Sequence, residues 1–145
     1  MKAHWKKAAD RLPFGPREGQ QFVVLGNTLF MLEQDVWSST DGIQWKRETD
    51  RITHGDYYGY TAVVFDNRIW LLGCNRSGTF SSEVMVSGDG KQWENQRAPW
   101  SPRGGIAACI HKGRIVKTGG KYGGQDENHP IFIYRNDVRA LERSR

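Results

Sequence analysis

The apolar residues of this chain fall into short runs broken by Gly, Asn and Asp, and no long stretch follows helical spacing. Such runs predict strands. Pro16 to Leu25 and Thr28 to Leu32 flank a Gly26-Asn27 turn, Gly59 to Phe65 and Arg68 to Gly73 flank Asp66-Asn67, and Pro102 to Ile110 and Arg114 to Gly120 flank Lys112-Gly113. Each is a hairpin pattern. These inner strands are almost wholly apolar, as strands covered on both faces require, whereas the outer strand that opens at Trp45 carries Lys46, Arg47 and Glu48.

The hairpins repeat in register. Gly19, Gly59 and Gly105 open three units, and Leu29, Ile69 and Ile115 each follow ten positions later. Within the units, Asp35-Val-Trp-Ser-Ser-Thr-Asp-Gly-Ile-Gln-Trp45 returns 48 positions on as Glu83-Val-Met-Val-Ser-Gly-Asp-Gly-Lys-Gln-Trp93. Each copy predicts a strand, a tight Asp-Gly turn and a Trp-anchored second strand. Loops are expected after the second strand of a unit, over 75–82 in the second, and the third unit closes with one strand inside 131–141. Residues 4–9 predict a lone strand carrying Trp5, so the chain starts in mid-repeat. The expected division is an outer strand in 1–10, four-stranded units at 16–48 and 57–97, and three strands in 102–142. The predicted fold is all-β with about eleven or twelve strands, at the period of roughly 40 to 50 residues typical of propeller blades.

Arg103-Gly-Gly, the Gly119-Gly120 pair, and the Asp35-Val-Trp and Glu83-Val-Met strands followed by Trp45 and Trp93 resemble the kelch repeat, especially bacterial kelch-like proteins with Trp-Ser-x-x-Asp-Gly-x-x-Trp. The pattern departs at Gly73-Cys74 and at Leu32-Glu33, where the glycine pair is altered or absent. The resemblance implies four-stranded antiparallel blades and places Arg17, Tyr57 and Arg103, two residues before each aligned glycine, at the mouth of a central channel. His54 and Trp100, from connections between units, and Arg76, Lys121, Tyr122, Gln125 and Asp126, from second-strand loops, are expected on the same rim. Arg forks onto carboxylates or phosphates, and Tyr stacks on sugar rings. The competing expectation is that each Arg serves a neighbouring carbonyl or acid instead.

Charge adds little. Twenty-one Lys and Arg against sixteen Asp and Glu give +5, with the excess at the two termini, which reads as a solvated face and predicts no nucleic-acid partner. No run approaches the roughly 20 apolar residues of a spanning helix and no leader pattern is present, so a cytoplasmic protein without membrane contact is expected. Cys74 and Cys109 lack metal or redox spacing and read as buried thiols. The four His show no metal-binding spacing, so neither metal nor cofactor is expected. The Asp-Gly pairs read as turns, and Trp45 and Trp93 as locks between sheets.

The expected function is a binding module that takes a protein partner or an anionic small molecule, such as an anionic saccharide, at the channel mouth. The alternative is an enzyme acting on acidic sugars, with Glu18 and His54 as the acid–base candidates and no catalytic set identified. Three blades fall short of the four to eight with which propellers typically close. A head-to-tail homodimer of six blades is therefore expected, the Trp5 strand of each copy completing the last blade of the other.

Overall fold

The computed structural model describes residues 1–145 except Gln125, Asp126, His129 and Arg145. The described residues form twelve strands in three four-stranded antiparallel sheets, with no helix and no closed barrel. Sheet I contains β1 (Gln21–Leu25), β2 (Thr28–Leu32), β3 (Val36–Ser39) and β4 (Lys46–Thr49) in sequence order. Sheet II repeats that order with β5 (Thr61–Phe65), β6 (Arg68–Arg76), β7 (Thr79–Ser87) and β8 (Glu94–Arg97).

Sheet III is different. β9 (Gly104–His111) pairs with β10 (Arg114–Gly123), and both β11 (Phe132–Tyr134) and β12 (Val138–Leu141) pair with the other edge of β10. β11 takes Lys121–Gly123 and β12 takes Ile115–Thr118, so the two lie end to end in the place of one third strand. The single strand expected inside 131–141 is thus broken at Arg135, whose amide still donates to Gly120 O at 2.9 Å.

Three further expectations are corrected. The loop expected over 75–82 is mostly strand, because β6 and β7 extend to a tight turn at Ser77-Gly78 whose positive φ angles suit it. The Asp-Gly turns are wider than a two-residue hairpin, and the chain from Thr40 to Trp45 separates β3 from β4. The strand expected over 4–9 does not form in the single chain, where Trp5 is fully exposed.

The sheets stack face to face in the order I, II, III, with the first strands β1, β5 and β9 side by side. Alternation along those strands decides which neighbour each side chain meets. Ala62 and Val64 of β5 pack into a core shared with Val23, Phe30, Leu32 and Val36 of sheet I, while Val63 of the same strand joins a core that includes Ile115 of sheet III. Backbone bonds clamp sheets II and III near the starts of β5 and β9, Cys74 N donating to Arg103 O at 3.2 Å and Gly105 N to Gly59 O at 3.0 Å.

The same alternation leaves two faces uncovered. Phe22 and Val24, which correspond in register to Ala62 and Val64, are 56% and 59% exposed on the outer side of sheet I. At the other end Cys109, which corresponds to the buried Val23 and Val63, is exposed, correcting the reading of both cysteines as buried. Cys74 is buried, and burial pushes its thiol up to about 11.

Candidate functional site

The turn chemistry is identical in sheets I and II. Ser39 Oγ accepts from Asp41 N and Gly42 N at 3.2 and 2.8 Å, Asp41 Oδ1 accepts from Ile43 N and Gln44 N at 2.8 Å each, and Trp45 Nε1 donates to Gly42 O at 3.0 Å. Ser87, Asp89 and Trp93 repeat every bond within a few tenths of an ångström. Both carboxylates sit below the ordinary range because two backbone amides bind their charged form. They are structural groups. Trp93 packs against the core between sheets I and II, whereas Trp45 rests on Phe14 and Phe22 at the uncovered face of sheet I.

The expected arginines are committed to acids of their own sheet. Arg17 Nη1 lies 2.6 Å from Asp35 and 3.2 Å from Glu33, and its fork also donates to Phe14 O. Arg103, almost wholly buried, sits 2.5 Å from Asp137, 3.0 Å from Ser101 Oγ and 3.2 Å from Ser101 O. Its guanidinium bond holds the Asp137 carboxyl far below the usual carboxylate range. Sheet II has Tyr57 at this position, and there Arg76 supplies the guanidinium, 3.3 Å from Glu83. Asp35, Glu83 and Asp137 stand one residue before Val36, Val84 and Val138, a recurrence visible in the sequence.

Tyr57 is buried, stacks on Tyr60 with ring centroids 5.0 Å apart, and lies beneath the Arg76 guanidinium at 5.8 Å. Burial raises its phenol well above the ordinary value. Its hydroxyl and Arg76 Nη1 are buried without a hydrogen-bond partner among the described residues. The remaining candidates scatter. His54 is exposed in a groove beside Met85, Trp93 and Asn95, away from the arginines. Tyr122 is half-buried on β10 opposite Ile133, and Trp100 lines a cavity between sheets II and III. Glu18 is exposed. Gln125 and Asp126 lie outside the described residues.

Lys121 belongs to a groove that sequence reasoning missed. Where β5 and β9 begin, Tyr58, Phe80 and Phe132 wall a space of about 380 Å³ floored by Gly59, Gly104 and Gly105. Lys121 Nζ lies 4.3 Å from the centroid of the Phe132 ring. The Asn75 end of the β6–β7 hairpin reaches this rim through paired bonds with Tyr58, 2.7 Å from Asn75 N to Tyr58 O and 3.2 Å in reverse. Glycine is needed at Gly104 in the floor and at Gly124 beside it: a Cβ at Gly104 would stand 2.8 Å from the Phe80 ring, and one at Gly124 would stand 2.6 Å from Phe132. Tyr58 adjoins the aligned glycine and was legible in principle; Phe80 was hidden by the misplaced loop.

Among the described residues no cluster of metal-binding side chains occurs and no helix is long and apolar enough to cross a membrane. Compared with models of known protein families and with curated proteins, the chain matches none.

Proposed function

We propose that the three sheets are successive blades of a kelch-type propeller and that the chain is a binding module taking an acidic saccharide in the groove of Tyr58, Phe80, Phe132 and Lys121. The observation that carries this reading is the combination of two exposed aromatic rings, Tyr58 and Phe132, with the buried Phe80 ring behind them, a side-chain-free glycine floor and an ammonium at one edge. Apolar sugar faces stack on such rings, and a point charge at the rim selects a carboxylate. Among the described residues the groove carries no acid–base pair, and rings with one ammonium are what its chemistry offers to a bound sugar. Arg17 and Arg103 are not the anion site, since Asp35 and Asp137 already neutralise them.

Calorimetric titration with glucuronate, galacturonate and the matching neutral sugars tests the reading. The uronates should bind about tenfold tighter, the ratio that roughly 1.4 kcal/mol from one ion pair supplies. Lys121→Ala should erase the preference, and Tyr58→Ala should weaken both ligand classes. Equal binding of acids and neutral sugars, or none at all, would overturn it.

A further inference from the structure

The interfaces between sheets I and II and between sheets II and III are built from corresponding positions, yet only the first is filled. Phe30, Leu32 and Val36 of sheet I receive the 89–93 turn of sheet II so closely that a Cβ on Gly90 would stand 2.5 Å from Phe30. Their counterparts in sheet II are Trp70, Leu72 and Val84. These line a cavity of about 320 Å³ instead, closed on the far side by Trp100, Lys117 and Arg139. A cavity of roughly 150 Å³ holds benzene, so this one has room for an indole.

What would fill it is an outer strand on β12, and among the described residues sheet III has none. All four residues of β12 are exposed. The Trp100 Nε1 atom at the cavity is buried without a hydrogen-bond partner among the described residues, and the buried Lys117 Nζ has only the longer contact to Asp137 at 3.6 Å. Lys117 stands where sheet II has the core residue Leu71.

The chain contains a segment with the outer-strand pattern and no sheet. Trp5-Lys-Lys-Ala-Ala-Asp-Arg11 matches Trp45-Lys-Arg-Glu-Thr-Asp-Arg51 at the Trp, the first Lys, the Asp and the Arg. It precedes Arg17 by the same interval that separates Trp45 from Tyr57. It is exposed throughout.

We infer that this segment, from a second copy of the chain, pairs with β12 and seats Trp5 in the Trp70–Trp100 cavity. A second copy is favoured over the chain's own segment because of the uncovered faces. Residues 5–11 lead into sheet I, and sheets I and III lie at opposite ends of the row. A partner that sets its sheet I against sheet III covers Phe22 and Val24 of its own chain and the Cys109 face of the first, and it brings its segment 5–11 alongside β12. Repeating the contact in the other direction closes both ends. The β3–β4 register pairs Ser38 with Lys46 and Trp37 with Arg47, which transfers to Ala140 with Lys6 and Arg139 with Lys7. The second pair is like-charged, and Asp137, 3.1 Å from Arg139, offsets it.

The inference rests on the propeller reading, not on the groove's ligand. Its test uses the full chain with Cys109→Ser. One preparation carries Lys6→Cys and another Ala140→Cys; each is oxidised alone and as an equal mixture. Opposed residues of an antiparallel pair lie about 4.5–5.5 Å apart at Cα, within disulfide range. The mixture alone should give a covalent dimer on a non-reducing gel, and unmodified chain should elute at twice the 16.6 kDa chain mass by light scattering. A chain carrying both substitutions that cross-links only within itself would show closure by its own segment, and no cross-link in the mixture would refute the register; either overturns the inference, as does a monomeric unmodified chain. A dimer that binds no uronate keeps this inference and removes the groove reading, and a monomer that binds uronate does the reverse.

Discussion

Gly42 and Gly90 occupy the same place in the two Asp-Gly turns and share a φ of +76°, but they face different surroundings. A Cβ on Gly42 would meet only Leu29 Cδ2 at 3.9 Å, an ordinary contact. A Cβ on Gly90 would stand 2.5 and 2.9 Å from two carbons of the Phe30 ring and 3.4 Å from Val36. Favourable carbon contacts begin near 3.5 Å, so Phe30 or the turn must shift by about 1 Å. The Phe30 ring is buried in the core between sheets I and II and has little freedom to yield. Gly42→Ala therefore costs only the left-handed backbone, about 1–2 kcal/mol. Gly90→Ala costs that plus about 1–3 kcal/mol of overpacking. Urea denaturation at one fixed protein concentration measures both, and with a slope of about 1–3 kcal/mol/M the midpoint of Gly90→Ala should lie roughly 1 M below that of Gly42→Ala. Equal losses would mean that the 89–93 turn does not bear on sheet I, and the packing described for Trp93 would fall with it.

Asp89→Ala removes the acceptor for Lys91 N and Gln92 N and should cost about 0.5–2 kcal/mol, the range for lost helix-capping bonds of the same kind, in thermal or urea unfolding. Asp41, Asp89 and Asp137 all have depressed pKa values in the folded chain, so the unfolded chain takes up protons first as pH falls. Stability should hold above about pH 5 and drop below the ordinary aspartate value near 4. Urea midpoints at pH 7, 5 and 3.5 check this, Asp137→Asn should flatten part of the drop, and a midpoint unchanged to pH 3.5 would refute it. Burial lowers the pKa of Lys117 against the opposing pull of Asp137, 3.6 Å away, so its charged form costs stability until pH rises through that value; because Asp137 keeps Arg103 and Arg139, Lys117→Leu should raise stability by about 1 kcal/mol at neutral pH, measured by urea unfolding. In native protein, Cys74 should resist thiol reagents under conditions that modify it on unfolding.

Much of the architecture was readable because it depends on local patterns. Asp66, Asn67 and Gly113 adopt the positive φ that their identities suit, and the continuous apolar run of β5 states that both of its faces are covered. The site was less readable because it depends on pairing across strands. Arg17 and Arg103 stand at aligned positions, but nothing local reveals that Asp35 and Asp137, 18 and 34 residues onward, consume their charge. Phe80 and Phe132 enter the groove only because β7 starts earlier than its sequence suggests and because the third strand of sheet III breaks before Asp137.

The exchange at Tyr57 shows what is held constant between the repeats: one guanidinium on the carboxylate before Val36, Val84 and Val138, whichever strand supplies it. An idealised repeat written column by column would choose Arg at position 57, because two of the three units have it. In sheet II that choice would put a second cation beside Arg76 and Glu83 and displace Tyr57 from its stack on Tyr60. A designed array from this chain must therefore carry positions 57 and 76 as one linked unit, Tyr with Arg or Arg with a neutral residue. Grafting either alone leaves a buried charge in excess.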